Sequence, residues 1–239
     1  MNVTIFKHYF NRTFFGKSDI LFAIALPLAI THIMFFVNYQ DEAVEVFAYA
    51  GSLAGFISLQ LAFMFTFSTA QAIIVFLYQD LKSQGVRDRL LVAPQTKNKY
   101  IVNLFLAVLS FTLFTTGINL LIPVFTIGAS YDNNLLISLV TLILLSCIGI
   151  MFNVFAFYIS STQKTATMIS SVAMFVFMGM SGVRDVQLPR VITIIFDHSP
   201  LMLGINAVMQ ENVTYILYLI VWVVVLSVIS FLFGKRREI

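Results

Sequence analysis

Long apolar runs cut by short charged stretches are the first pattern along this chain. Dividing it at its charged residues leaves six uncharged intervals: Ile20–Gln40, Val46–Gln79, Tyr100–Tyr131, Asn133–Gln163, Thr165–Val183 and Asn212–Gly234. A helix needs about 20 apolar residues to cross the hydrocarbon core of a bilayer. Each interval supplies one crossing, and none is long enough for two spans plus a turn. The longer ones read as single helices that tilt or overrun the membrane. The expected spans are 20–38, 48–78, 101–127, 135–160, 165–182 and 213–233.

Residues 1–18 follow a different rule. On a helical wheel Val3, Ile5, Phe6, Tyr9, Phe10 and Phe14 fill one half, and Lys7, His8, Asn11 and Arg12 fill the other. A helix with an aromatic face and a basic face lies in the headgroup plane. The segment has no apolar core and is not a signal peptide. Between the fifth and sixth spans, 184–211 holds two short apolar runs, Val191–Phe196 and Leu201–Met209, separated by Asp197-His198-Ser199-Pro200. Neither can cross a bilayer, and a re-entrant pair shielded by protein is expected.

Composition agrees. Apolar residues make up 59% of the 239 and charged residues 10%, against roughly 45–50% and 25% in soluble domains. The chain reads as an all-α polytopic membrane protein, which excludes soluble enzymes, coiled coils and disulfide-rich modules. One cysteine, Cys147, excludes an intrachain disulfide and a cysteine-based zinc site.

The distribution of charge sets orientation. Six crossings put both ends on one side, and that side collects 12 of the 14 Lys and Arg, leaving only Arg184 and Arg190 opposite. The excess of positive charge places both termini in the cytoplasm.

Several polar residues invite a chemical reading. Pro27 and His32 sit in the first span; a neighbouring helix must satisfy the carbonyl that the proline frees, and the histidine reads as a hydrogen-bonded core group. Gly51–Gly55 in the second span has the spacing that lets another helix approach. Deeper in that span, Gln60, Met64, Phe67, Gln71 and Tyr78 fall within one arc of the wheel. Two glutamines in hydrocarbon face protein or a wet cavity; interhelical hydrogen bonds and the lining of a substrate path remain equal alternatives.

Some catalytic patterns fail. Gly16-Lys17-Ser18 lacks the earlier glycine and the strand of a phosphate-binding loop. Gly179-Met180-Ser181-Gly182 has the form of a rhomboid-like intramembrane serine protease, but the last span carries no histidine to serve as base. His8, His32 and His198 are scattered and make no metal site. No charge lies deep in any span, so a self-sufficient ion-coupled carrier is disfavoured, and uphill transport would draw its energy from another polypeptide.

The stretch Asp80–Lys99 is the longest charged insert between spans. Within it Leu81–Val92 is expected to form a short amphipathic helix anchored by Leu81, Leu90 and Leu91, with Lys82, Arg87, Asp88 and Arg89 available to water or to a partner and Pro94 as its stop. Gly85-Val86-Arg87-Asp88-Arg89-Leu90-Leu91-Val92-Ala93-Pro94, followed later by Ser181-Gly182, Leu188-Pro189 and Ser199-Pro200-Leu201, resembles the pattern of permease subunits of ATP-binding-cassette (ABC) exporters of the type-two class. The family's usual Thr is Val86 here, and its usual Glu is Leu81, with Asp80 beside it.

The resemblance covers the whole chain and implies a single permease domain. It makes 80–92 the coupling helix that seats in a separate cytoplasmic ABC ATPase, with Asp80, Lys82, Gly85, Arg87, Asp88, Arg89, Leu90, Leu91 and Pro94 as the coupling residues. ATP and magnesium belong to that ATPase, and no cofactor to this chain. It also implies a second permease subunit, a plasma-membrane location and no nucleic acid. Gln60, Met64, Phe67 and Gln71 are the candidates for a path taken by an apolar or amphipathic cargo.

Overall fold

The computed structural model describes residues 3–14, 17–39, 50–82, 94–131, 135–182, 194–195, 197–210 and 212–236. Among them the regular structure is helical: α1 (Val3–Phe14), α2 (Lys17–Tyr39), α3 (Ala50–Ala70), α4 (Ala72–Lys82), α5 (Pro94–Thr126), α6 (Leu135–Ile159), α7 (Gln163–Gly182), α8 (Pro200–Met209) and α9 (Val213–Arg236). Among the described residues, four stretches are long and apolar enough to cross a membrane: Ala54–Asp80, which joins α3 and α4, then Tyr100–Thr126, Leu136–Ile159 and Val213–Gly234.

These four coincide with the spans expected at 48–78, 101–127, 135–160 and 213–233. The other two expected spans also fall on helices. The described apolar stretch of α2, Phe22–Val37, is shorter, and α7 carries Thr165, Thr167, Ser170 and Ser171 in its first half.

Burial runs in the sense a bilayer demands. Only 17% of the apolar stretch of α9 is buried within the chain. Its outward residues Leu217, Val221, Val224, Val228 and Phe231 are all exposed and all apolar. Water would not tolerate so continuous an apolar surface, whereas lipid is its natural solvent.

The α3–α4 stretch runs through the centre of the bundle, packed by α2, α5, α6 and α7. Hydroxyl and amide groups stitch it to its neighbours. Thr66 and Thr116 share a 2.9 Å hydroxyl–hydroxyl bond between α3 and α5. Gly149 of α6 lets that helix close on α3, where an added Cβ would already sit 3.4 Å from Ala70.

Pro27 illustrates why prolines survive in such helices. It cannot donate to the Ala23 carbonyl one turn back. Asn119 of α5 donates to that carbonyl instead, at 2.9 Å, which meets the requirement read from the sequence. His32 is tied as well, with one ring nitrogen 2.7 Å from the Leu28 carbonyl and the other 2.7 Å from the Thr126 hydroxyl of α5.

The second apolar run of 184–211 forms α8. Ser199 caps its first turn, with its hydroxyl accepting from the Met202 amide. Pro200 through Val208 are buried among Leu59 and Phe63 of α3, Leu145 of α6 and Leu219 of α9. The helix is enclosed by protein. The first run, with Leu188 and Pro189, lies largely outside the described residues.

At Gly55 the group that approaches is backbone. A Cβ on Gly55 would run into the Ser130 carbonyl oxygen. Ser130 belongs to the non-helical stretch 127–131, entered through Gly128 at φ 67°. Tyr131, in the same stretch, donates to the Leu120 carbonyl at 3.0 Å. Burial pushes its hydroxyl up to about 12, partly offset by a hydrogen bond with Ser58, so it stays protonated at neutral pH.

Candidate functional site

The central stretch is interrupted at one residue, Gln71. Its amide N–H donates to the Ser68 carbonyl at 3.1 Å, and the Ile74 amide donates to the Gln71 carbonyl at 2.9 Å. Both are bonds three residues apart, the tighter winding that marks a break inside an α-helix. Asn153 of α6 reaches the same turn, its Nδ2 at 3.4 Å from the Phe67 carbonyl oxygen and 2.7 Å from the Gly149 carbonyl.

A groove of about 490 Å³ opens beside the break, between α2, α3, α4, α5 and α7. Its wall is aromatic, with Phe22, Phe65, Phe76 and Phe111, and its polar edge includes Ser68, Thr69 and Gln71. The side-chain amide of Gln71 crosses to α7, donating to the Ser170 hydroxyl at 3.1 Å and the Ser171 hydroxyl at 3.2 Å. Gln71 therefore makes the interhelical hydrogen bonds that were one of its two expected roles, and it also borders the groove.

Comparison of the chain with family models, curated proteins and solved structures finds no match. The site must be read from its own residues.

The arc drawn through Gln60, Met64, Phe67, Gln71 and Tyr78 does not stay together. Met64 is buried in a small cluster with Ile57 and Leu61, against Ile30, Phe65 and Met174. Phe67 belongs to a different cluster, with Leu59, Phe63, Leu145 and the residues of α8. Gln60 is half-buried on α3, and of the four path candidates only Gln71 borders the groove. Tyr78, beyond the break, donates to the Ser160 carbonyl at 3.0 Å. The reason is physical: α3 is packed on nearly every side, so residues one turn apart meet different neighbours, and the break resets the wheel.

Of the coupling residues, Asp80 is described in full. It is 9% exposed. Its carboxylate accepts from the Tyr9 hydroxyl of α1 and, at 3.1 Å, from the Tyr100 hydroxyl of α5. The rings of Tyr9 and Tyr100 meet edge to face, with centroids 5.6 Å apart, and Tyr9 packs against Phe76 at the same distance. Asp80 thus holds α1, α4 and α5 together at the end of α4 instead of presenting its charge to water.

Lys82 closes α4 and Pro94 opens α5. A proline in the first turn costs no intrahelical bond, so Pro94 is suited to start a helix. Gly85, Arg87, Asp88, Arg89, Leu90 and Leu91, and with them most of the expected helix 80–92, lie outside the described residues.

Proposed function

We propose that this chain is the membrane-spanning subunit of an ABC exporter, worked by a separate cytoplasmic ATPase. The order of motifs from Gly85 to Pro94 and from Ser181 to Leu201 motivates the reading. The observation that carries it is the seat of α1: Tyr9 bonded to Asp80, at the last described turn before residues 83–93. A bend that transmits force needs a rigid base, and the Tyr9–Asp80–Tyr100 cluster supplies one.

On this reading the chain crosses the plasma membrane six times, through α2, the α3–α4 stretch, α5, α6, α7 and α9. Both termini are cytoplasmic, and 83–93 faces the ATPase. A second permease subunit completes the pathway. ATP and magnesium bind to the partner and not to this chain.

The geometry offers a mechanism. α4 has 11 residues, a rod of roughly 16 Å at 1.5 Å per residue. It runs from the Asp80 cluster to the break at Gln71. When the ATPase closes on ATP and pushes residues 83–93, α4 pivots at Gln71, where winding is already tightened and Asn153 of α6 reaches the Phe67 carbonyl. The pivot reshapes the groove, with the two arrangements as alternative packings of rigid helices. Cargo is apolar or amphipathic: a drug, a peptide or a lipid-linked molecule.

The test is charge reversal at the bend. Arg87→Glu with Arg89→Glu reduces co-purification of the ATPase by about tenfold or more, because rim charges orient such contacts, while the folded permease is recovered in normal yield. Unchanged co-purification and unchanged ATP hydrolysis in the isolated complex would remove the docking assignment.

A further inference from the structure

We infer that the groove at the Gln71 break binds an uncharged, drug-sized molecule with an aromatic body and one hydrogen-bond donor, a hydroxyl or an amide N–H. The inference deepens the export reading and rests on it for its purpose, because it names the cargo class of that path; its test does not require the ATPase.

Size comes first. A volume of about 490 Å³ falls within the roughly 300–1,000 Å³ that holds drug-sized ligands. Four phenylalanines, Phe22, Phe65, Phe76 and Phe111, border it. Their rings offer the faces and edges against which another aromatic system packs. Among the described residues, no Asp, Glu, Lys, Arg or His borders the groove, so a charged ligand would shed its hydration and gain no counter-charge there.

The hydrogen-bond demand is set by Gln71. Its NH₂ group is turned to Ser170 and Ser171. Among the described residues no hydrogen bond reaches its amide oxygen. That oxygen is not sealed in protein, so a ligand that brings a donor into the groove gains a hydrogen bond there.

The same feature separates the rival occupants. A lipid acyl chain fills the space but leaves the Gln71 oxygen unmet. A peptide brings a backbone N–H and C=O at nearly every residue, against five polar side chains on the wall, Ser68, Thr69, Gln71, Gln79 and Thr167, of which Thr69 and Thr167 already donate within their own helices.

The experiment uses the purified full-length chain in phosphatidylcholine nanodiscs. Tritiated 1-hydroxypyrene is the probe, with 1-methoxypyrene, pyrene-1-sulfonate and dodecanol as competitors. Expected is saturable binding above that of protein-free discs. 1-Hydroxypyrene should compete about fivefold better than 1-methoxypyrene, the value of one net hydrogen bond. Gln71→Leu erases that difference. Phe22→Ala, at a residue 63% exposed within the chain, weakens both neutral probes about threefold or more by removing one aromatic wall. Should Gln71→Leu fail to fold, the hydroxy-to-methoxy ratio on the unaltered chain and the Phe22→Ala result still decide.

The inference is overturned by absence of saturable binding, by equal competition from the sulfonate, by a hydroxy-to-methoxy ratio of one, or by equal displacement with dodecanol, which would make the site an acyl-chain groove. Any of these leaves ATPase co-purification untouched, so cargo class and export reading fail separately.

Discussion

Gly55→Val destabilises the protein by about 3 kcal/mol, the upper end of what overpacking costs. The added Cβ meets the Ser130 carbonyl oxygen, which is backbone and cannot swing aside. Ser130 lies between Gly128 and Tyr131, in the non-helical stretch where Ala129 packs on Ala54 and Phe35. Relief therefore requires moving α3 or that whole stretch. Thermal unfolding in detergent reads the effect. Gly117→Ala is the control, since its new methyl group would have nothing within 4 Å; its stability should stay within about 1 kcal/mol of the parent. Equal midpoints for Gly55→Val and the parent would mean that α3 and residues 127–131 do not pack this closely.

Asp80→Ala releases α1. Two tyrosine hydroxyls lose their shared acceptor in a buried position. Hydrogen bonds to a charged group are worth about 1.5–3 kcal/mol each. Because α1 is held largely through Tyr9, with Phe6 and Phe10 beside it, the consequence is local: backbone amide exchange across 3–14 accelerates by about tenfold or more, the factor that 1.4 kcal/mol represents, while exchange in α6 and α9 does not change. Asp80→Asn keeps an acceptor oxygen and recovers most of the protection. Unaltered exchange in α1 after Asp80→Ala would show that the apolar face alone holds the helix, and would take away the rigid base assigned to the bend.

Much of this architecture can be read from residue order because the bilayer imposes simple rules. Uncharged runs become helices, and the sidedness of α1 follows from its wheel: Tyr9 is buried while Lys7, His8 and Asn11 face outward. The need for a partner at Pro27 is also foreseeable, since any proline in a helix frees a carbonyl. That the partner is Asn119 is not, because the pairing spans 96 residues.

The break at Gln71 has no local trace. No proline or glycine stands there, and the side chains that meet the turn, Asn153 and Ser170, are brought up from other helices. The pair Tyr9 and Asp80 shows the same limit. Asp80 at a span boundary looks like a solvated flank, and only the fold puts a tyrosine over it. Gly55 misleads for a related reason: its spacing indicates close approach but not by what, and the visitor is a backbone carbonyl rather than a helix.

A single thiol at position 87 offers the sharpest discrimination. With Cys147→Ser removing the natural thiol and Arg87→Cys placing a new one in the bend, intact cells are treated first with a membrane-impermeant thiol reagent and then with a permeant crosslinker. A gate driven from the cytosol leaves that thiol shielded from the impermeant reagent and joins it to a polypeptide that hydrolyses ATP. Labelling from outside, or purified chain that moves or cleaves a substrate with no nucleotide hydrolase present, would contradict it.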